Sequence, residues 1–94
     1  MNNYEAVVIL STSATEETTV AFGEKMKTLI SGNGELTKVD EWGKKTLAYP
    51  IKKQKEGYYI LLTFAANPEF ISELERVLRL DDIVLKHMVI KKED

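Results

Sequence analysis

The sequence predicts one α+β domain, residues 1–94, in which strands and helices follow one another in the order β-α-β-β-α-β. Tyr4 to Leu10 and Tyr58 to Ala65 are short and nearly all apolar, which is typical of strands buried on both faces of a sheet. Each of these runs precedes a stretch in which apolar residues recur at helical spacing. No linker or repeat divides the chain, and its 94 residues are enough for one core of modest size.

The first helix is expected to begin after Thr15, a candidate N-cap, and to end at the turn-forming sequence Ser31 to Gly34. Its apolar residues at helical spacing are Phe22, Met26, Leu29 and Ile30. Gly23 within this helix costs about 1 kcal/mol relative to alanine. We expect a close approach of the helix to the structure beneath Gly23 to compensate for that cost.

A long strand at the edge of the sheet is predicted from Glu35 to Ile51, because the residues mix β-branched, aromatic and charged types. The glycine after Trp42 predicts a bulge at this point. Trp42 is expected to pack at the bulge rather than to offer its ring to a nucleobase. A hairpin loop from Lys52 to Gly57 would then lead into the strand that starts at Tyr58.

The second helix is predicted to begin after Asn67, a candidate N-cap, with Pro68 in the first turn where proline is accepted. It ends at Asp81-Asp82, and Val84 to Lys91 forms the last strand. This order of elements is that of the ferredoxin-like, or split β-α-β, fold. We therefore expect a four-stranded antiparallel sheet with both helices on one face and no helix on the other.

Alternation along the first strand divides its side chains between the two faces of the sheet. Tyr4 to Leu10 places an unbroken apolar row, the residues with even numbers, on one face, and we assign that face to the helices. Val7 and Ile9 then lie on the helix-free face. Exposed apolar side chains that form a contiguous patch usually mark an interface, so we predict that Val7 and Ile9 bind a protein partner.

Positive charge is concentrated in one segment of a chain whose net charge is −2. Residues 42–59 carry five lysines against one glutamate. Basic residues here and in the last third are candidate contacts for nucleic-acid phosphates: Lys44, Lys45, Lys52, Lys53, Lys55, Arg79, Lys86 and Lys91. The alternative interpretation of Lys44 and Lys45 is that they protect the edge strand from aggregation.

Composition excludes several kinds of chemistry. The chain has no cysteine and one histidine, His87, so disulfides, thiolate nucleophiles, cysteine-ligated zinc and multi-histidine metal sites are all excluded. No motif supplies a nucleophile for His87 to activate, and we predict no catalytic residue, metal, cofactor or small-molecule substrate. No run reaches the ~20 apolar residues that span a bilayer, so we expect a cytoplasmic protein without membrane contact.

Four segments together resemble the bacterial small-subunit ribosomal protein six family. They are "NYE" at Asn3 to Glu5, "WGKKTLAYPI" at Trp42 to Ile51, "GYY" at Gly57 to Tyr59 and "LRLDDIVLKHMVIK" at Leu78 to Lys91. The resemblance implies a structural, non-enzymatic component of the 30S subunit. It also implies binding to the central domain of 16S rRNA together with small-subunit protein eighteen. We expect the basic residues above to contact the RNA and Val7 and Ile9 to contact protein eighteen.

Two other functions fit the same topology. A free-standing RNA-recognition domain would carry a basic residue, glycines and aromatics in a set order on its third strand. Gly57-Tyr58-Tyr59 matches that motif only in part, because the basic residue is displaced to Lys55. A small-molecule sensor or small phosphatase would need a glycine-rich phosphate loop, and the sequence has none.

Overall fold

A computed structural model of the chain describes residues 1–92 and contains six elements in the predicted order. They are β1 (Asn2–Ser11), α1 (Glu16–Ser31), β2 (Gly34–Ile51), β3 (Gln54–Ala66), α2 (Pro68–Leu80) and β4 (Val84–Lys91). The strands form one antiparallel sheet in the order β2-β3-β1-β4, so the two apolar strands are central. The predicted ferredoxin-like fold is confirmed.

The core lies between the sheet and the two helices. The even-numbered residues of β1 from Tyr4 to Leu10 are at most 6 % exposed and pack with apolar residues of both helices. From the helices this cluster includes Phe22, Met26, Ile30, Phe70, Leu74 and Leu78. The predicted assignment of the helix-covered face is therefore confirmed. Neither of the two helices in residues 1–92 is long and apolar enough to cross a membrane.

The helix N-termini differ in how they are capped. The Thr18 N–H donates to Thr15 Oγ1 at 3.1 Å, which confirms Thr15 as the N-cap of α1. Asn67 occupies the N-cap position of α2, but its side chain makes no capping hydrogen bond. The Phe70 N–H donates instead to the backbone carbonyl of Asn67 at 3.0 Å.

The expected close approach at Gly23 is wrong. A Cβ placed on Gly23 would have no neighbouring atom within 4 Å, because this side of α1 does not press against the sheet. The close approach lies instead at Gly34, the first residue of β2. There a Cβ would overlap the Ala65 carbonyl oxygen of the neighbouring strand, so Gly34 lets β2 and β3 start their pairing.

The connection between β2 and β3 is shorter than predicted. Only Lys52 and Lys53 form the turn, with φ of 49° and 68°, and Ile51 already pairs with Gln54. Two central residues with positive φ are typical of the type I′ hairpin, whose twist matches that of the flanking strands, and β3 therefore begins before Tyr58. The predicted bulge is confirmed, since the register shifts between Glu41 and Gly43 and Gly43 has φ of 82°.

The end of this hairpin, residues 46–54, extends beyond β1 and is called the hairpin arm below. Beside the turn at the tip of the arm, the Gln54 side chain donates to Ser11 Oγ at 2.9 Å and accepts from the Thr12 N–H at 3.1 Å. Nearer the base of the arm, Leu47 is buried, and the Tyr49 hydroxyl accepts a hydrogen bond from Lys86 Nζ at 2.9 Å. Because β4 and β2 are opposite edges of the sheet, the hairpin arm must curve across the helix-free face to make this contact.

Candidate nucleic-acid and partner interfaces

The helix-free face carries an exposed apolar patch at its centre. Val7 pairs with Leu61 on one side and with Met88 on the other, and Ile90 follows Met88 on the same face of β4. We call Val7, Leu61, Met88 and Ile90 the open patch. Met88 and Ile90 are 51 % and 48 % exposed, whereas Val7 and Leu61 are half-buried. These side chains form a contiguous surface suited to an apolar partner.

Charged groups beside the open patch are already paired. Lys92 Nζ lies 3.5 Å from a carboxylate oxygen of Glu5, and Lys38 Nζ lies 3.8 Å from one of Asp40. Such exposed ion pairs add little stability. They nevertheless leave this part of the surface close to electrical neutrality, which favours contact with protein over contact with phosphates.

Ile9 lies on the predicted face but is not exposed, and the expectation that it is open to a partner is wrong. Its exposed fraction is 7 %, although it is not part of the core cluster under the helices. The hairpin arm covers it with Leu47 and Tyr49. Gly57, which neighbours Ile9 in the sheet, has no room for a side chain because a Cβ would overlap Ile9 Cγ2. Alternation along β1 gives the face of Ile9 and does not reveal that a distant segment covers it.

Aromatic rings and lysines cross the helix-free face at the level of Ile9. The Trp42 ring stacks on Tyr59 with centroids 6.4 Å apart and planes inclined by 17°, and Lys45 Nζ lies 5.2 Å from the Trp42 ring centroid. At the opposite edge, Lys86 Nζ lies 5.4 Å from the Tyr49 ring centroid. We call these residues the aromatic row. The hydrogen bond to Tyr49 raises the pKa of Lys86 above its ordinary value.

The structure gathers most of the predicted phosphate contacts at one end of the sheet. Lys44 and Lys45 pair with Tyr58 and Gly57 next to the hairpin arm. The remaining members at this end are Lys52 and Lys53 in the turn, Lys55 on β3, Lys86 beside Ile9 and Arg79 in the last turn of α2. Lys91 is separate, because it pairs with Tyr4 near the opposite end of β1.

These basic side chains are available to a ligand. All of the predicted phosphate contacts are exposed, and none forms an ion pair with another residue of the described part of the chain. The cations that do form ion pairs are Lys25, Lys38, Arg76 and Lys92. Exposed lysines that form no ion pair within the described residues can neutralise the phosphates of a nucleic acid.

Catalytic or metal chemistry receives no support from this arrangement. Within residues 1–92 no group of three or more histidine, aspartate or glutamate side chains could hold a metal ion. His87 pairs with Val8 in the sheet, and no hydrogen bond links it to a nucleophile among these residues.

Sequence reasoning missed three members of the open patch, and it missed Tyr49 and Tyr59 of the aromatic row. Met88 and Ile90 alternate along β4 as Val7 and Ile9 do along β1, and that period of two was the signal that could have found them. Tyr59 and Leu61 needed the register between β1 and β3, which the sequence alone does not determine. The contact between Tyr49 and Lys86 joins opposite edges of the sheet, and no local pattern predicts it.

Comparison with known proteins gives a consistent result. Residues 3–91 match the family described as Ribosomal protein S6. The chain is 51 % identical to the small ribosomal subunit protein bS6 of Clostridium novyi, with 99 % of each chain covered. It is 45 % identical to the bS6 protein of Caldanaerobacter subterraneus, with both chains covered completely. Among solved structures, the 30S ribosomal protein S6 of Thermotoga maritima superposes with a TM-score of 0.91 at 27 % identity, covering 97 % of this chain and 87 % of that one.

Proposed function

Since the chain belongs to the ribosomal protein S6 family and is a structural, non-enzymatic component of the small ribosomal subunit, we propose that it binds the central domain of 16S rRNA together with small-subunit protein eighteen. Ribosomal RNA and other proteins of the subunit are its partners, on ribosomes in the bacterial cytoplasm. The protein holds RNA helices in one relative orientation rather than transforming a substrate.

One observation carries this proposal, the separation of two surfaces on one sheet. Exposed lysines that form no ion pair within residues 1–92 gather at the end with the hairpin arm, and the uncharged open patch lies beyond them. Phosphate contacts supply affinity that depends on salt, and apolar burial supplies affinity that does not. The two surfaces therefore suit an RNA and a protein at the same time.

We assign the open patch to protein eighteen, with Val7 at its centre. Full burial of a valine, methionine or isoleucine side chain stabilises a complex by about 1.5 to 3 kcal/mol relative to exposure. Ile9 contributes only indirectly, because the hairpin arm covers it and so fixes the boundary of the patch.

A cationic partner would also offset the electrostatic repulsion between this chain and RNA. The net charge of −2 gives the whole chain a weak long-range repulsion from RNA, and the lysines attract phosphates only at short range. A cationic partner on the helix-free face gives the complex a net positive charge, so that the long-range repulsion from RNA becomes an attraction. We therefore expect the chain alone to bind its RNA weakly and the pair to bind it tightly.

The test is to measure binding to central-domain RNA over a range of salt concentrations, with and without protein eighteen. The double variant Lys44→Ala/Lys45→Ala should flatten the log–log salt dependence by up to about 2, at roughly 0.7 to 0.9 per phosphate contact. Lys27→Ala removes from α1 a lysine that forms no ion pair within residues 1–92, and it is the matched control for the single variants Lys44→Ala and Lys45→Ala. An unchanged slope in the first variant, or nanomolar binding by the chain alone in physiological salt, would contradict the proposal.

A further inference from the structure

We propose that Trp42 is a stacking site for an unpaired nucleobase of the RNA, with Lys45 contacting a phosphate of the same or the next nucleotide. This inference rests on the proposed function, because it names a contact within the RNA complex. It gives Trp42 a nucleobase as its ligand, whereas the sequence analysis expected this side chain only to pack at the bulge.

The sheet holds the Trp42 ring in place without burying it. The bulge at Gly43 sets Trp42 beside the plane of Tyr59, on which its ring stacks at 17°. Even so, 43 % of Trp42 remains exposed. A large ring that is already oriented loses little conformational freedom when a flat ligand binds, and this favours stacking on its exposed surface.

The charge beside the ring favours a nucleotide over a protein side chain. Lys45 Nζ lies 5.2 Å from the Trp42 ring centroid. This positive charge repels the arginines and lysines of a cationic protein partner. It attracts phosphates, and stacked bases with a cation on the neighbouring phosphate are the usual way in which proteins bind unpaired RNA.

Lys45 has the reach that this role needs. In the free protein its ammonium lies over the Trp42 indole in a cation–π contact. No carboxylate of residues 1–92 forms an ion pair with it. Its flexible four-carbon side chain allows the ammonium to leave the ring for a phosphate when a base arrives. The exposed open patch lacks any such cation within it, which is why we place the base at Trp42 and the protein at Val7.

The single tryptophan of the chain provides a direct readout. Central-domain RNA should quench Trp42 fluorescence in the wild-type protein paired with protein eighteen. Trp42→Leu keeps an apolar side chain on Tyr59 but removes the π surface, and it should weaken RNA binding roughly tenfold without changing the salt slope. Trp42→Phe keeps a ring and should bind within about twofold of wild type. Melting curves verify that both variants fold.

The outcomes separate this inference from the function on which it rests. If Trp42→Leu binds RNA as tightly as wild type while Lys44→Ala/Lys45→Ala still flattens the salt dependence, the stacking site is wrong and the proposed function stands. If wild type itself fails to bind central-domain RNA, the proposed function falls and the stacking site falls with it. If protein eighteen alone shields Trp42 from acrylamide quenching, Trp42 belongs to the protein interface and the inference is overturned.

Discussion

Val7 and Ile9 occupy the same face of β1 two positions apart, yet one lies in an open patch and the other is sealed under the hairpin arm. Both are β-branched apolar residues with neighbours on both sides in the sheet. The difference comes from Leu47 and Tyr49, which are distant in sequence and reach across the face. A face of a sheet is therefore not one environment, and a curved hairpin can divide it into a structural half and a binding half.

The largest expected effects come from placing a carboxylate at Ile9, under the hairpin arm, and at Val7, in the open patch. Ile9→Asp buries a carboxylate without a partner and should lower the free energy of unfolding by about 3 kcal/mol or more. Val7→Asp should change stability by less than about 1 kcal/mol, because Val7 is only half-buried, but it should abolish pairing with protein eighteen. Urea unfolding and a pull-down with protein eighteen measure the two properties. If Val7→Asp unfolds the free protein, the division of the face is wrong.

A smaller effect is expected at Gly57, where the sheet makes room for Ile9. Gly57→Ala adds a Cβ that overlaps Ile9 Cγ2 and should destabilise the protein by about 1 to 3 kcal/mol. Gly23→Ala is the matched control, because its Cβ meets open space and the change should stabilise α1 by up to about 1 kcal/mol. Thermal unfolding checks both variants. Combining Gly57→Ala with Ile9→Ala should cost less than the sum of the single changes, and strict additivity would show that the two residues do not compete for space.

The smallest effect concerns the contact that ties the hairpin arm to β4. Tyr49→Phe removes the hydroxyl that accepts from Lys86 and keeps the ring, so it should destabilise the protein less than Gly57→Ala does. The pKa of Lys86 is raised in the folded protein, so its contribution is fully present below the ordinary pKa of lysine and is lost as the pH rises through the raised value. The stability difference between wild type and Tyr49→Phe should thus be constant near neutral pH and shrink in the alkaline range. Melting temperatures measured across pH test this, and a difference that grows with pH would contradict it.

Local patterns were sufficient for the fold and for part of the candidate site. The apolar runs of β1 and β3, the cap at Thr15 and the bulge at Gly43 each follow from a few adjacent residues, and the structure contains all of them. Period-two alternation also placed Val7 on the correct face.

What the sequence did not predict depends on contacts between distant residues. The cover over Ile9 requires the curvature of the hairpin arm, and that curvature depends on the turn, the bulge and the contact from Tyr49 to β4 acting together. The turn was also predicted too long, since a lysine pair carries none of the glycine or asparagine that usually identifies a two-residue hairpin. The predicted phosphate contacts were identified by charge, and their collection at one end appeared only with the strand order.

That lysine pair has a thermodynamic consequence. Lys52 and Lys53 both hold a left-handed backbone conformation, which costs a residue with a Cβ about 1 kcal/mol relative to glycine. The two ammonium groups also repel each other at the outermost point of the hairpin. An asparagine–glycine turn would relieve both penalties and remove both charges. The sequence thus gives up local stability at this one turn and keeps positive charge there, which is the trade-off expected where a residue is selected for what it binds rather than for how it folds.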